Sequence, residues 1–144
     1  MIAIDTNLLV YAHREDSPHH AAAAEVLREL AGGVGAWAVP WPCVHEFLAV
    51  VTHPRVYAPP TPPAVALAAV DALAALPNLR LLHESPSHLV ELDRLLSRGD
   101  VTGARVHDAR IAAICIAHGV SELWSADRDF SWFPALRTRN PLAH

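Results

Sequence analysis

Four acidic side chains stand out by their surroundings: Asp5 in IDTN, Glu46 in VHEFL, Asp108 in HDARIAAIC and Asp127 in SADRDF. Carboxylates drawn together from separate parts of a chain need a cation among them. At about 5 Å and an effective dielectric near 20, each pair repels by roughly 3 kcal/mol, so an uncompensated cluster does not stay ionised. Carboxylate oxygens suit a hard divalent ion, Mg²⁺ or Mn²⁺ as substitute, whereas zinc calls for histidine or cysteine at ligand spacing. The histidines, including the His19-His20 pair and the isolated His45, His53, His107 and His118, match no zinc pattern and read as surface or structural residues.

Each acid also has an ordinary reading. Asp5 suits a helix cap, Asp108 a first helical turn favoured by the helix dipole, Glu46 a solvated helix position, and Asp127 a turn in which Asp129 is its rival. Local pattern leaves these alternatives open. What weighs on them is the order of the elements that must carry the four residues.

Met1 to Asp5 alternates apolar residues and predicts a short buried strand, with a helix beginning over Leu8 to Tyr11, capped by Thr6 or Asn7. Ser17-Pro18 predicts the start of a helix that stops at Gly32. The segment GAWAVP predicts a second strand. Pro42 opens a helix in which Val44, Phe47, Leu48 and Val51 form an apolar stripe, with Glu46 at its border. Thr61-Pro62 starts a further helix, LRLLHE reads as a third strand, and Ser85-Pro86 begins a helix ending near Gly99. Ala104 to His118 predicts a helix, ELWSAD a fourth strand, and LRTR the region of a last one. Strands alternating with helices at this spacing predict an α/β fold with a central, mainly parallel sheet covered on both faces. In such sheets functional groups collect at the carboxyl ends of the strands, which is where Asp5 and Asp127 fall. Asp108 shares a helix face with Ile111, Ala112 and Cys115, the stripe that should pack on the sheet.

Composition bounds the reading. The chain of 144 residues can bury one sizeable core and is expected to form one domain over residues 1–144. It has no eighteen-residue apolar run and no basic leader followed by an apolar segment, which predicts a cytoplasmic protein without a membrane span. Cys43 and Cys115 lie in apolar helical patterns and read as core residues. All cations are arginine, and the net charge of −4 argues against binding nucleic acid through a broad basic surface. With the four candidate acids set aside, 15 − 4 = 11 acids face 11 arginines, so the excess negative charge equals the candidate site. A metal held there could bridge protein and phosphate without a basic surface.

Together, IDTNLLVYA, VHEFL, HDARIAAIC and SADRDF, in this order and over nearly the whole chain, resemble the PIN domain, and in particular VapC-type toxins of bacterial toxin–antitoxin pairs. The resemblance implies a three-layer α/β/α domain and a Mg²⁺-dependent endoribonuclease whose metal is bound by Asp5, Glu46, Asp108 and Asp127. Thr6, Asn7 and Ser125 match polar positions that orient the carboxylates, with Ser125 standing where threonine is frequent. The same reading leaves Asp129 as an assistant to, or a substitute for, Asp127. The implied reaction is in-line attack of a metal-activated water on an RNA phosphodiester, with Arg14, Arg110 or Arg128 as candidates for phosphate contact. The implied partners are a cognate antitoxin and a second copy of the chain, for which Trp37, Trp41, Tyr57 and Trp132 are candidate apolar surface.

The alternative class is a non-catalytic α/β module that binds Mg²⁺ and a protein at an acidic edge. A phospho-accepting receiver needs a lysine that this chain lacks, and no G-x-G-x-x-G follows the first strand, GGVG at Gly32 coming after a helix. A haloacid-dehalogenase-like phosphatase would carry a second aspartate where Asn7 stands.

Overall fold

The computed structural model describes residues 1–98 and 100–143. Its elements are β1 (Ile2–Ile4), α1 (Thr6–His13), α2 (His20–Gly32), β2 (Trp37–Pro40), α3 (Trp41–Val51), α4 (Pro63–Ala74), β3 (Leu79–Leu82), α5 (His88–Leu96), α6 (Arg105–Ala117), β4 (Glu122–Trp124) and β5 (Thr138–Arg139). The strands form one sheet in the order β3-β2-β1-β4-β5, and every pairing is parallel. The expectation of a mainly parallel sheet is met by a wholly parallel one among the described residues.

Apolar content dictates where the sheet lies. Ala3 and Ile4 of β1, all four residues of β2 and Leu123 of β4 are buried, as strands covered on both faces require. The chain steps from β1 outward through β2 to β3, then returns past β1 to β4. With right-handed crossovers, α1 to α4 cover one face and α5 and α6 the other, and the helix contacts fall into these two groups with α3 touching α6. The result is the α/β/α layering expected.

The reversal between β1 and β4 is a topological switch point, the place where open parallel sheets form a crevice beyond their carboxyl ends. Asp5 N–H donates to Trp124 O at 2.9 Å and prolongs the β1–β4 pairing right up to this crevice.

Several boundaries differ from the sequence expectation. Ser17-Pro18 makes a turn, with Ser17 Oγ accepting from His19 N–H at 3.1 Å, and the helix starts only at His20. Proline also sits just ahead of α4 and α5, which begin at Pro63 and His88; its ring favours the turn before a helix as much as the first turn itself. The expected stop at Gly99 lies outside the described residues. Gly119, φ +69°, ends α6 where expected, in a conformation that only glycine adopts without strain. Trp37, expected as candidate surface, is a core residue 1% exposed, because β2 is an inner strand. Trp132 is 36% exposed, and Trp41 and Tyr57 are half-buried. Cys43 and Cys115 are free, buried thiols, as expected. No helix among the described residues is long and apolar enough to cross a membrane.

Candidate metal centre

Asp5 follows β1 directly and has the extended backbone of a helix cap, φ −87° and ψ 168°, yet its side chain makes no capping hydrogen bond. The backbone of Asp5 thus caps α1 while its carboxylate is left free of that task. Thr6 and Asn7, expected as the caps, are already inside α1. The freed carboxylate is fully buried and is held from two sides: Cys43 S–H donates to Oδ1 at 3.4 Å and Ser125 O–H to Oδ2 at 2.8 Å. Burial, with Asp5 close by, pushes the thiol of Cys43 well up, and burial pushes that of Cys115 up to about 12, so both remain protonated.

Ser125 knots the end of β4 to the start of α1. Its hydroxyl accepts from Asn7 Nδ2 at 3.4 Å and from Arg128 N–H at 3.3 Å, while Asn7 Oδ1 accepts from Ala126 N–H at 3.1 Å. Asn7 and Ser125 thus orient the site as expected. Thr6 does not: among the described residues its buried Oγ1 has no hydrogen-bond partner.

The helices bring in two more carboxylates. Glu46 stands one turn beyond Cys43 on α3, so both face the crevice, and Asp108 lies in the first turn of α6. Burial and the nearby Asp5 raise the pKa of Asp108. All three acids meet on a single guanidinium: Arg128 Nη1 donates to Asp108 Oδ1 at 3.1 Å, Nη2 bonds to Glu46 Oε1, and Nε lies 3.6 Å from Asp5 Oδ2. Arg128 is the one of the three arginine candidates found here. Arg14 is tied to Asp16 at 2.7 Å and Arg110 to Glu84 at 2.6 Å, which removes both from the centre.

Asp127 is not brought to the same focus. Its Oδ2 accepts from the Tyr11 hydroxyl, and its side chain borders a neighbouring cavity that also contacts Glu46 and Arg128. Asp129 is exposed and accepts from Ser131 N–H at 2.8 Å within its own turn.

Three carboxylates from β1, α3 and α6 therefore surround one positive charge. Their oxygens are the hard donors that Mg²⁺ or Mn²⁺ prefers. Among the described residues no three histidine, cysteine, aspartate or glutamate side chains stand close enough to share an ion, and the guanidinium of Arg128 contacts all three of these acids. The donor set fits a divalent cation in kind, and Arg128 marks where a cation is stabilised. The role of Arg128 was not readable from local pattern, since an arginine beside an aspartate in SADRDF looks like an ordinary surface pair.

Residues 2–135 match the PIN domain family. The chain is 39% identical over 142 residues to VapC ribonuclease Mb2897 of Mycobacterium bovis, covering 99% of this chain and 96% of that protein. Its fold is similar to VapBC2 from Rickettsia felis, solved bound to a DNA fragment from the promoter, with a TM-score of 0.69 at 21% identity and coverage of 97% and 98%. It is also similar to VapC20 of Mycobacterium tuberculosis, a sarcin–ricin-loop-cleaving toxin, with a TM-score of 0.64 at 16% identity and coverage of 94% and 95%. The two solved structures bear on the fold alone, whereas the family match and the full-length relative bear on kinship: the chain belongs to the PIN domain family, among its VapC ribonucleases.

Proposed function

We propose that this ribonuclease hydrolyses RNA phosphodiester bonds at the centre built by Asp5, Glu46 and Asp108, with Mg²⁺, or Mn²⁺ in its place, as the bound ion. The observation that carries the reading is the convergence of three carboxylates from three elements on one cationic position at the switch point. Asp5 and Asp108 are the principal ligands and Glu46 completes the set. The ion would supply charge neutralisation for the phosphate and lower the pKa of water. Ser125 and Cys43 fix the Asp5 carboxylate, and Arg128, once withdrawn from the acids, is the residue placed to hold a phosphate oxygen. Asp127, the fourth acid of the set, borders the cavity that Glu46 and Arg128 also line, close enough to complete the shell of the ion.

The proposal extends to a single-domain cytoplasmic toxin that forms a homodimer and is held inactive by a cognate antitoxin. An apolar cleft of about 370 Å³ supports a protein partner: Leu9, Leu27, Phe47, Ala69, Leu73 and Leu76 line it between α1–α3 and α4. Such a cleft suits the apolar side chains of an antitoxin segment.

The test is incubation of the purified protein with a panel of structured RNAs in Mg²⁺, Mn²⁺ or chelator, alongside Asp5→Asn and Asp108→Asn. Cleavage is expected only with the ion and only in the unsubstituted protein. Cleavage that persists in chelator, or in both folded variants, overturns the metal–carboxylate assignment.

A further inference from the structure

Trp132 is a tryptophan that the core does not take. The segment around it is fastened by Phe130, Phe133 and Leu136, each 4% exposed or less. Two turns set its backbone, with Phe133 N–H donating to Phe130 O and Leu136 N–H to Phe133 O, both at 2.9 Å. Trp132 alone of its aromatic residues is left 36% exposed. A single exposed indole needs no explanation by itself, but what lies on this one does.

The Arg105 guanidinium lies over the ring, 3.7 Å from the centroid, and Nη1 donates to Asp100 O at 3.0 Å. Both side chains are therefore oriented in advance. Unlike Arg14, Arg110 and Arg128, Arg105 forms no ion pair among the described residues. Its charge is felt by Asp129, whose carboxyl is held below the usual range by hydrogen bonds from Ser131 and then by Arg105. An exposed guanidinium with donors to spare suits an anion.

The pair stands outside the acidic centre but next to it. Arg105 opens α6 and Asp108 follows three residues later, which puts both on one helix face with Cβ atoms about 5–6 Å apart. We propose that Trp132 is a stacking platform for an unpaired base of the bound RNA, with Arg105 holding an adjacent phosphate. The inference rests on the reading of the chain as an RNA-cutting enzyme and extends its substrate contact beyond the acids. Every base has a π-face, so the platform selects unpaired over paired RNA and not one sequence. Arg105 limits the freedom that the indole loses on stacking. An apolar protein surface laid on the same pair would bury the guanidinium without a counter-charge, whereas a nucleotide brings phosphate and ring together. Such a local contact does not need the broad basic surface that a net charge of −4 argues against.

The test is binding of a short labelled oligoadenylate, and of an abasic strand of the same length, measured by fluorescence anisotropy with Ca²⁺ present over a series of salt concentrations. The two strands carry equal charge, so their ratio reports stacking. The oligoadenylate should bind about tenfold tighter than the abasic strand, and Trp132→Ala should reduce that ratio about fivefold. Trp132→Phe, which keeps a ring, should retain most of it. Arg105→Gln should lower the slope of log affinity against log salt by about 0.7, the share of one phosphate on a single strand, and Arg105→Lys should restore it. Thermal midpoints check that each variant is folded. Failure of the unsubstituted protein to bind either strand, a ratio that Trp132→Ala leaves unaltered, or an unaltered slope in Arg105→Gln overturns the inference. So does loss of self-association in Trp132→Ala with the ratio unaltered, which would make this face a contact between copies of the chain. RNA cleavage by a protein whose ratio is one overturns the platform and spares the ribonuclease reading. A Trp132-dependent ratio in a protein that cuts no RNA sustains the platform and overturns that reading instead.

Discussion

Arg128 Nη1 lies 3.1 Å from Asp108 Oδ1, and the same guanidinium reaches Glu46 and Asp5. The chain thus carries its own counter-ion for the centre, on the residue that follows Asp127. Arginine and a divalent cation cannot both occupy the space among the three acids, so under the proposed function ion binding there would require the guanidinium to withdraw.

Removing that guanidinium should therefore have two effects of opposite sign. In chelator, Arg128→Gln leaves partly buried carboxylates without their partner and should lower unfolding stability by about 1–3 kcal/mol. In Mn²⁺, the competitor is gone, and calorimetric titration should show tighter binding by about fivefold or more, since a state that excludes the ion no longer has to be displaced. Mn²⁺ affinity that is unchanged or weaker in Arg128→Gln rules out competition between guanidinium and ion.

Ser125 offers a test of positioning. Its hydroxyl donates to Asp5 Oδ2 at 2.8 Å and accepts from Asn7 and Arg128, so its loss frees the aspartate to rotate. Ser125→Ala should weaken Mn²⁺ binding by about tenfold to a hundredfold, as for other groups that orient a ligand, while Ser125→Thr should retain it. If Ser125→Ala binds Mn²⁺ like the unsubstituted protein, packing around Asp5 is sufficient to orient it.

The fold was largely legible in the sequence because its signals are local. A strand ending in Asp5, the apolar stripe of α3 and the stop at Gly119 each follow from periodicity or backbone preference within a few residues. Asp5 and Asp127 could be nominated because each ends a strand at the edge the topology singles out, and Asp108 because it shares the packing face of its helix, whereas Glu46 rested on the resemblance. What stayed hidden depends on side-chain direction across long sequence separations. Nothing local turns Arg128 toward Glu46, 82 residues away, or Asp127 toward Tyr11, 116 residues away. Proline-led helix starts were misplaced for a different reason: Ser-Pro and Thr-Pro describe a turn and a first helical position equally well.

A pH dependence follows from His13. Its Nε2 lies 3.1 Å from Thr61 Oγ1, its ring meets Phe47 edge-on, and burial together with Arg14 lowers its pKa from 6.5. A folded pKa below the unfolded one means that the folded chain binds fewer protons. The contribution to stability is therefore complete above about pH 6.5 and is lost as pH falls through the lower folded value. Urea midpoints should decline from about pH 7.5 to about pH 5, and His13→Gln, which has no proton to gain, should flatten that decline. Equal slopes for both proteins would assign the decline to other groups.

Asn78 separates stability from function. Its Nδ2 lies 2.9 Å from Leu30 O, 3.1 Å from Gly33 O and 3.2 Å from Gly35 O, and its Oδ1 accepts from Trp37 Nε1 at 3.2 Å. One amide thereby ties the end of α2, the turn before β2 and the start of β3 together. Asn78→Ala strips partners from several backbone carbonyls and from a buried indole, and should cost about 2–3 kcal/mol. Asn78→Asp should cost at least as much, since a carboxylate cannot donate to those carbonyls. Both effects arise at the amino ends of parallel strands, whereas the carboxylates gather at the carboxyl ends. Denaturation midpoints should therefore fall in both variants while Mn²⁺ affinity of the folded protein stays within about twofold of the unsubstituted chain. A parallel loss of ion affinity would mean that the two ends of the sheet are coupled through β1 and β2, the strands that join this amide's anchor at Trp37 to Asp5.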